Sequence, residues 1–318
     1  MQVPSDHRIE SRVTIVGAGH VGSTMAFSLL CRGLCEEIVL VNRTRAKAEG
    51  EAADLQHAAG FAQRAVQVRA GDIPDTAQSD VIIFTIGAPG VPGSRTAGAQ
   101  QNAKLLRQMV PEYVRYSPDA ILLIVTNPVD AMSYVAWKAS GLPSNRVLGT
   151  GTLIDSARFR TYLSRQLQIH PDDIRAYVLG EHGETQFPAV SVAATGGQRL
   201  DPNIQVDEAF RQTVESAHEI FAIKGYTNYA IALAGTMIVE SILNDSRRTL
   251  PVSTYVEDYA GHRDVYLSLP AVIGRNGVQR VLQPGMNEAE QSQLTRCVEH
   301  IRRTIDACGL NDLPTNLS

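Results

Sequence analysis

Short apolar runs alternate with helix-like segments through the first half of the chain. Six of these runs are predicted strands, at residues 12–17, 37–42, 66–71, 80–87, 120–128 and 146–151. Helix-like spacing fills the intervals at residues 20–33, 44–58, 98–117 and 129–141. Strands that are apolar on both faces are typical of parallel sheets with helices packed on each side. The alternation therefore predicts an α/β fold built on a doubly wound parallel sheet.

A glycine-rich turn follows the first predicted strand. Gly17, Gly19 and Gly22 have the spacing GxGxxG and lead directly into a predicted helix. Such glycines permit a tight turn, the close approach of a pyrophosphate and close packing of helix on strand. We therefore predict a Rossmann-type dinucleotide-binding site; the alternative is a turn with a purely structural role.

The end of the second predicted strand bears on the choice of nucleotide. About 20 residues after the glycine turn, NAD-binding folds usually place an acid that binds the ribose hydroxyls. Here that position is Asn42, followed by Arg43. An acid would repel a 2′-phosphate, whereas Asn42 is neutral and Arg43, Thr44 and Arg45 can donate hydrogen bonds to one. The stretch favours NADP(H) over NAD(H). In the alternative, Asn42 binds the ribose hydroxyls and the arginines are solvated.

The pattern changes after about residue 150. Helices are predicted at 153–167, 207–222, 227–245 and 287–306, a strand at 176–183, an antiparallel region at 188–200, and a strand with a turn within 266–282. A chain of 318 residues is longer than those that usually fold around a single hydrophobic core. We expect a dinucleotide-binding domain at residues 1–149 and a second, α+β catalytic domain at residues 150–318, packed tightly together.

A histidine, an aspartate and two arginines together fit one reaction. His182 is flanked by glycines in what looks like an exposed, mobile setting, and Asp155 and Arg158 lie three apart on one helix face. Hydride transfer to a ketone needs a proton donor, which His182 provides if a buried Asp155 orients it and raises its pKa. Arg158 suits a substrate carboxylate, and Arg95, in a glycine- and proline-rich lid, suits the charge that develops on the ketone oxygen. Each motif alone has an alternative without function: Asp155 and Arg158 as a surface ion pair, and His182 as a residue of a turn.

Composition argues against several kinds of partner. The chain is 44% hydrophobic and 19% charged, with a formal net charge of -4, which disfavours nucleic acid and anionic membranes. The four cysteines are expected to be reduced thiols, with Cys31 and Cys35 on one helix face if that stretch is helical. Zinc ligands are not found in an obvious spacing, so no metal is expected. Because the first ten residues do not resemble a signal peptide, and no apolar run approaches ~20 residues, we expect a cytoplasmic protein.

The ordered motifs GxGxxG, TNPVD, DSARFR, GEHG and KGYT carry a family resemblance. Along nearly its whole length the chain resembles the L-lactate/malate dehydrogenase family, and KGYT is similar to lactate and 2-hydroxyisocaproate enzymes. The resemblance implies that His182 and Asp155 relay the proton, that Arg158 binds the substrate carboxylate and that Arg95 is the lid arginine. Asn127, at the end of a predicted strand, then contacts cofactor and substrate.

Further roles follow from the resemblance alone. Thr227 is implied to line the substrate pocket. The cofactor is implied to contact Gly17, Ala18, Gly19, His20, Val21, Gly22, Asn42, Arg43, Thr44, Thr85, Gly87, Ala88, Val125 and Asn127. The helix near residues 48–60 resembles the dimer-forming helix of the family, so a homodimer or homotetramer is expected.

The lid departs from the family pattern. The residue that contacts the substrate side chain is usually Gln in lactate enzymes and Arg in malate enzymes, but here it is Gly90. The loop is also one residue shorter than in the family before Arg95. A second substrate carboxylate would lack a charge partner, which disfavours malate. Gly90 enlarges the pocket, and Gln186 and Phe187 resemble the hydroxyisocaproate enzymes. We therefore expect a 2-oxo acid with a larger or apolar side chain, with pyruvate close behind.

Some alternatives stay open at this point. Arg160 and Arg175 lie near positions where bacterial relatives bind an activating sugar bisphosphate, although solvated surface arginines are the preferred interpretation. Malate oxidation, reduction of another carbonyl or imine on the same fold, and cofactor binding without turnover by a regulator are the remaining functions.

Overall fold

The computed structural model describes residues 11–87, 95–201 and 204–309, with side chains over these ranges except at residues 95–97. In the first half, strands alternate with helices, as predicted. The elements are β1 (Arg12–Val16), α1 (His20–Arg32), β2 (Glu37–Val41), α2 (Arg45–Ala59), β3 (Gln67–Ala70), β4 (Val81–Phe84), α3 (Arg95–Tyr116), β5 (Ile121–Ile124), α4 (Val129–Ser140) and β6 (Val147–Gly149). All six strands pair in parallel, in the order β3-β2-β1-β4-β5-β6.

Alternate residues of these strands enter cores on opposite faces of the sheet. Ile82 and Phe84 of β4 pack with α3 and α4, whereas Val81 and Ile83 pack with α1 and α2. A strand places successive side chains on opposite faces, so an uninterrupted apolar run is buried on both. The predicted fold, a Rossmann-type doubly wound sheet, is confirmed.

The second half mixes helices with short antiparallel sheets. Its elements are α5 (Leu153–Leu167), β7 (Ile174–Arg175), β8 (Val178–Leu179), β9 (Phe187–Pro188), β10 (Ala194–Thr195), β11 (Gln198–Arg199), α6 (Val206–Lys224), α7 (Tyr229–Leu243), β12 (Arg248–Val256), β13 (Val265–Gly274), β14 (Gly277–Val281) and α8 (Glu288–Ala307). The predicted strand over 176–183 is wrong beyond β8, because the chain bends at Gly180, which bridges to Ser268. No helix of the described residues is long and apolar enough to cross a membrane.

One long sheet links the two halves. Strands β12, β13 and β14 are antiparallel and extend the parallel sheet beyond β6 to nine strands, through the pairing of Ser253 with Gly149. Strand β12 was not anticipated from the sequence, in which Pro251 argues against an internal strand. Pro251 is tolerated because β6 ends at Gly149 and offers no neighbouring residue opposite the proline. The division into domains at residue 149 stays a prediction.

Candidate active site

The glycine turn is shaped to receive a phosphate group. Gly17 has a φ of +111°, which favours glycine, and its N–H donates to the carbonyl of Val41 at 2.8 Å. A Cβ on Gly22 would lie 1.9 Å from the carbonyl oxygen of Gly17, so helix α1 can approach the turn only without a side chain there. A Cβ on Gly19 would meet nothing within 4 Å. The residues from Gly17 to Gly22 therefore fit a pyrophosphate at the N-terminus of α1.

Asn42 is held between this turn and the loop that follows β2. Its Oδ1 accepts a hydrogen bond from the Ala18 N–H at 3.3 Å, and its Nδ2 donates to the carbonyl of Thr44 at 3.0 Å. Arg43 is exposed and has no partner among the described residues. Arg45, in contrast, is already paired with Glu49 at 2.9 Å and with Asp72. These ion pairs are exposed and leave Nη2 of Arg45 unused among the described residues, so its donation to a phosphate stays a prediction.

Other predicted cofactor contacts lie at the carboxyl edge of the sheet. The Thr85 hydroxyl donates to the carbonyl of Gly17 at 2.8 Å, so it supports the glycine turn from β4. Gly87 is exposed and Val125 is half-buried; they follow β4 and β5 respectively. Asn127 is exposed, and its carbonyl accepts from the Asn102 side chain at 2.8 Å. Ala88, Gly90 and the side chain of Arg95 lie outside the described residues, although the backbone of Arg95 begins α3.

His182 and Asp155 are in direct contact. The Nδ1 atom of His182 lies 2.6 Å from Oδ2 of Asp155, whose side chain is only 3% exposed. An ionised carboxylate only accepts, so Nδ1 carries the proton and Nε2 is the nitrogen that titrates. Nε2 has no partner among the described residues. Arg158, one helical turn along α5, places Nη1 3.4 Å from Oδ1 of Asp155.

The charges around His182 favour its protonated form. Burial would lower the pKa of the imidazole, but the charge and hydrogen bond of Asp155 and the charge of Asp130 outweigh burial and raise this pKa to about 9, against opposition from Arg158. Burial would also raise the pKa of Asp155, but His182 and Arg158 outweigh that effect and lower it. The pair is thus an ion pair at neutral pH.

Hydrogen bonds to other elements hold the loop that carries His182. The backbone N–H of His182 donates to Oδ2 of Asp130 at 2.7 Å, and Gly180 exchanges backbone hydrogen bonds with Ser268. Within the loop, Glu181 accepts from the backbone N–H of Thr185 at 2.9 Å. The His182 side chain is 25% exposed. His182 is less exposed than predicted, because partners distant in sequence hold its loop against the protein.

Thr227 lies in a segment that packs against the start of α1. It is half-buried, between Tyr226, whose ring stacks on His20 at 3.9 Å between centroids, and Asn228, whose side chain donates to the Thr24 hydroxyl at 2.8 Å. Thr227 is thereby held beside the glycine turn. The contact of His20 with Tyr226 was missed from the sequence, as was the role of Asp130, although Asp130 stands in the motif TNPVD.

The predictions for the two surface arginines and for the cysteines have mixed outcomes. Arg175 is exposed, as expected, but Arg160 is partly buried, and this burial lowers the pKa of its guanidinium. Cys31 and Cys35 do not share a helix, because α1 ends at Arg32; Cys31 is exposed and Cys35 is buried. Among the described residues the cysteines are free, and no group of three or more histidine, cysteine or acidic side chains is arranged to hold a metal.

A sheet with a glycine turn that fits a pyrophosphate, together with a histidine paired to a buried carboxylate, is typical of one class, the oxidoreductases that use nicotinamide nucleotides. The family model described as lactate/malate dehydrogenase, NAD binding domain, matches residues 11–149. The model for the alpha/beta C-terminal domain of the same enzymes matches residues 152–309. The chain therefore belongs to the lactate/malate dehydrogenase family and is a 2-hydroxycarboxylate dehydrogenase.

Individual relatives agree with this assignment. The chain is 40% identical over 315 residues to an L-lactate dehydrogenase of Clostridium botulinum (strain 657 / Type Ba4), covering 95% of this chain and 99% of that protein. It is 44% identical over 307 residues to one of Moorella thermoacetica, covering 93% and 96%. The crystal structure of the minor L-lactate dehydrogenase from Enterococcus mundtii superposes with a TM-score of 0.90 at 32% identity, covering 93% and 98%. A lactate dehydrogenase from a deep-sea metagenome library gives 0.91 at 33%, covering 94% and 99%.

Proposed function

We propose that the chain interconverts an L-2-hydroxy acid and a 2-oxo acid whose side chain is uncharged, with His182 as the acid–base residue. The single observation that carries the proposal is the 2.6 Å contact of His182 with buried Asp155, beside Arg158. The names of the relatives, L-lactate dehydrogenases, favour pyruvate and lactate as the substrate pair.

The chemistry follows from the orientation of these side chains. Asp155 holds the imidazole by Nδ1, so Nε2 faces the substrate and donates its proton to the ketone oxygen as a hydride arrives at C2. The nicotinamide nucleotide, when bound, supplies that hydride. Arg158 holds the substrate carboxylate through the N–H groups that are not directed at Asp155. In the reverse direction Nε2 takes the hydroxyl proton, and Asp155 stabilises the imidazolium in both directions.

Turnover and its loss test this assignment. We expect oxidation of NADH or NADPH with pyruvate or 4-methyl-2-oxopentanoate, and a loss of roughly 10²- to 10⁴-fold in kcat for His182→Asn. His218→Asn, on α6, is the matched control and should keep full activity. A wild-type protein that binds nucleotide but reduces no 2-oxo acid would instead be a regulator without turnover.

The side chain of the substrate is the finer part of the proposal. Gly90 favours a larger apolar group, and no arginine precedes Arg95 in the lid sequence to bind a second carboxylate. The resemblance of Phe187 to the hydroxyisocaproate enzymes supports this preference less strongly, because the ring of Phe187 is 2% exposed and packs in the hydrophobic core. We expect kcat/KM to be higher for pyruvate, phenylpyruvate or 4-methyl-2-oxopentanoate than for oxaloacetate. A preference for oxaloacetate would make the chain a malate dehydrogenase, and activity confined to ketones without a carboxylate would contradict both.

We further propose that NADP(H) is preferred over NAD(H). The Oδ1 atom of Asn42 already accepts from Ala18 and one amide N–H already donates to Thr44, so the neutral side chain keeps one N–H for a ligand and carries no charge that would repel a 2′-phosphate. Arg43, which is exposed and unpaired among the described residues, adds a positive charge beside it. Asn42→Asp with Arg43 intact should shift the ratio of kcat/KM for NADPH and NADH towards NADH. Asn276→Asp is the control, and an unchanged ratio in Asn42→Asp contradicts the preference.

We also propose a homo-oligomer. Several large apolar side chains are exposed on α1, α6 and α7: Phe27, Phe221, Ile223, Tyr229 and Leu233. Their exposed fractions reach 89% at Ile223, which water disfavours unless a second copy covers the surface. Sedimentation should give at least a dimer, and Ile223→Glu combined with Leu233→Glu should shift it towards the monomer.

A further inference from the structure

A second carboxylate contacts His182 from the side opposite to its ring. Asp130 lies in the first turn of α4, three residues after Asn127, and is 2% exposed. Its Oδ2 accepts the backbone N–H of His182 at 2.7 Å, and its Oδ1 lies 3.5 Å from the Ser268 hydroxyl. Strand β13, helix α4 and the His182 loop therefore meet at this carboxylate.

Burying the ionised side chain of Asp130 destabilises the folded protein. Among the described residues no lysine or arginine forms an ion pair with Asp130, and Glu181 is a further negative charge nearby. A buried carboxylate that lacks a lysine or arginine partner destabilises a protein, and the protonated ring of His182 offsets only part of that cost. An amide or a hydroxyl would accept the same N–H without that cost, so the geometry points to a use for the negative charge itself.

We propose that Asp130 is a positioning residue for His182, holding its peptide from α4 while Asp155 holds its ring from α5, and that its charge supports the protonated imidazole. The proposal rests on the proposed role of His182 as the proton donor. The start of α4 then aligns two groups at once, because Asn127 lies two residues before this helix and Asp130 belongs to its first turn.

The charges that face the imidazole are few and come from identified elements. Asp155 and Arg158 face it from α5 and Asp130 faces it from α4; Asp155 and Asp130 favour the protonated ring and Arg158 opposes it. Asp130 itself is faced by His182 and Glu181, by the Ser268 hydroxyl of β13 and by Cys297 of α8. Removing the charge of Asp130 should thus lower the pKa of His182, while removing its acceptor atom should release the His182 loop.

Two substitutions separate charge from geometry. Asp130→Asn keeps an acceptor for the His182 N–H but is neutral, and Asp130→Ala loses both. Asp119→Asn, at the amino edge of the sheet with a side chain 94% exposed, is the matched control. In Asp130→Asn the alkaline midpoint of kcat/KM for 2-oxo acid reduction should fall by roughly half a pH unit or more, with kcat at lower pH nearly kept. In Asp130→Ala, kcat should fall by roughly 10- to 100-fold with a smaller change in KM, because Arg158 still binds the carboxylate.

The ring titration of His182, followed by NMR in the protein without substrate, provides a readout besides activity. The resonance is assigned by its loss in His182→Gln. The pKa of the ring should be lower in Asp130→Asn than in wild type and unchanged in Asp119→Asn. If the wild type reduces no 2-oxo acid but this titration still shifts, the proposed function fails while the positioning role stands. If the titration and the midpoint of kcat/KM are the same in Asp130→Asn as in wild type, the inference is overturned. Equal kcat in Asp130→Ala and wild type overturns it as well.

Discussion

At the scale of single residues, the protonation of His182 is set by two carboxylates that reach it from different helices. Asp155 contacts the ring and Asp130 contacts the peptide, so two carboxylates that are almost fully buried stabilise the imidazolium. The folded-state pKa of about 9 lies above the unfolded value of 6.5. The stabilisation from this pair is therefore complete below pH 6.5 and is lost as the pH rises through about 9.

The first prediction concerns the pH dependence of the two reaction directions. Reduction needs the protonated ring, so kcat/KM for the 2-oxo acid should be level at neutral pH and fall above a pH of about 9. Oxidation needs the neutral ring and should rise over the same interval. Asp155→Asn should move both midpoints to lower pH and reduce kcat. Initial rates from pH 6 to 10.5 check this, and a reduction midpoint near the ordinary histidine value in wild type would contradict it.

The second prediction concerns the stability cost of Asp130. Burial raises the pKa of this carboxyl to about 6, with partial offset from the hydrogen bond of the His182 N–H, against 3.8 in its ordinary state. Because the folded value is higher, burial of the ionised form destabilises the fold above pH 6, and the cost disappears below pH 3.8. Asp130→Asn should therefore raise the free energy of unfolding at pH 8 by on the order of 1–3 kcal/mol. Urea unfolding at pH 8 and pH 4 measures it, and the gain should vanish at the lower pH.

At the scale of elements, two glycines at the start of α1 differ in what surrounds them. Gly22 allows the helix to pack against Gly17, whereas the space in front of Gly19 is open in the protein. The same turn is braced from β4 by Thr85 and from the loop after β2 by Asn42. These contacts prearrange backbone N–H groups for a pyrophosphate at the helix N-terminus.

The third prediction separates these two glycines. Gly22→Ala should destabilise the protein severely, because its Cβ would lie 1.9 Å from a backbone oxygen. Gly19→Ala should leave the free energy of unfolding nearly unchanged but weaken nucleotide binding, since its Cβ would enter the space for the pyrophosphate. Gly50→Ala, exposed in the middle of α2, is the control and should stabilise by ~0.5–1 kcal/mol without affecting binding. Calorimetric titration with nucleotide and thermal unfolding check the set; tight binding by Gly19→Ala would contradict it.

At the scale of the whole molecule, the site lies where the two halves of the chain meet. Asn127 and Asp130 come from the parallel half, and Asp155, Arg158 and His182 come from the second half. The pairing of β6 with β12 joins both halves in one sheet. The ring of Trp137 in α4 packs at a tilt against Tyr255 of β12, with 4.5 Å between ring centroids. Catalytic geometry therefore depends on the junction between the halves as well as on either half.

The fourth prediction is that the halves unfold together. Trp137 is the only tryptophan of the chain and packs across the junction, so its fluorescence reports on this contact. Its transition in urea should coincide with the loss of far-UV circular dichroism, as expected for one cooperative unit. Two separated transitions would indicate that the halves are independent.

Much of the parallel half was predictable, because it depends on local signals. Six apolar runs and the glycine turn predicted the strands, the helices between them and the position of a nucleotide. Strand β12 was not predictable, since Pro251 is acceptable only where β6 has already ended. The charge state of His182 and the pairing of Arg45 with Asp72 also depend on residues far away in the chain.

The sequence by itself determined which chemistry is present: GxGxxG after a strand, Asp155 and Arg158 one turn apart, and His182 in GEHG. Periodicity and short spacings specify such features, because neighbours along the chain create them. The tertiary structure alone decided that His182 is tied down, that its ring pairs with Asp155, and that Asp130 holds its peptide. Those contacts span 27 and 52 residues of sequence. Only the folding of the sheet and the packing of α4 and α5 bring their partners within hydrogen-bonding distance.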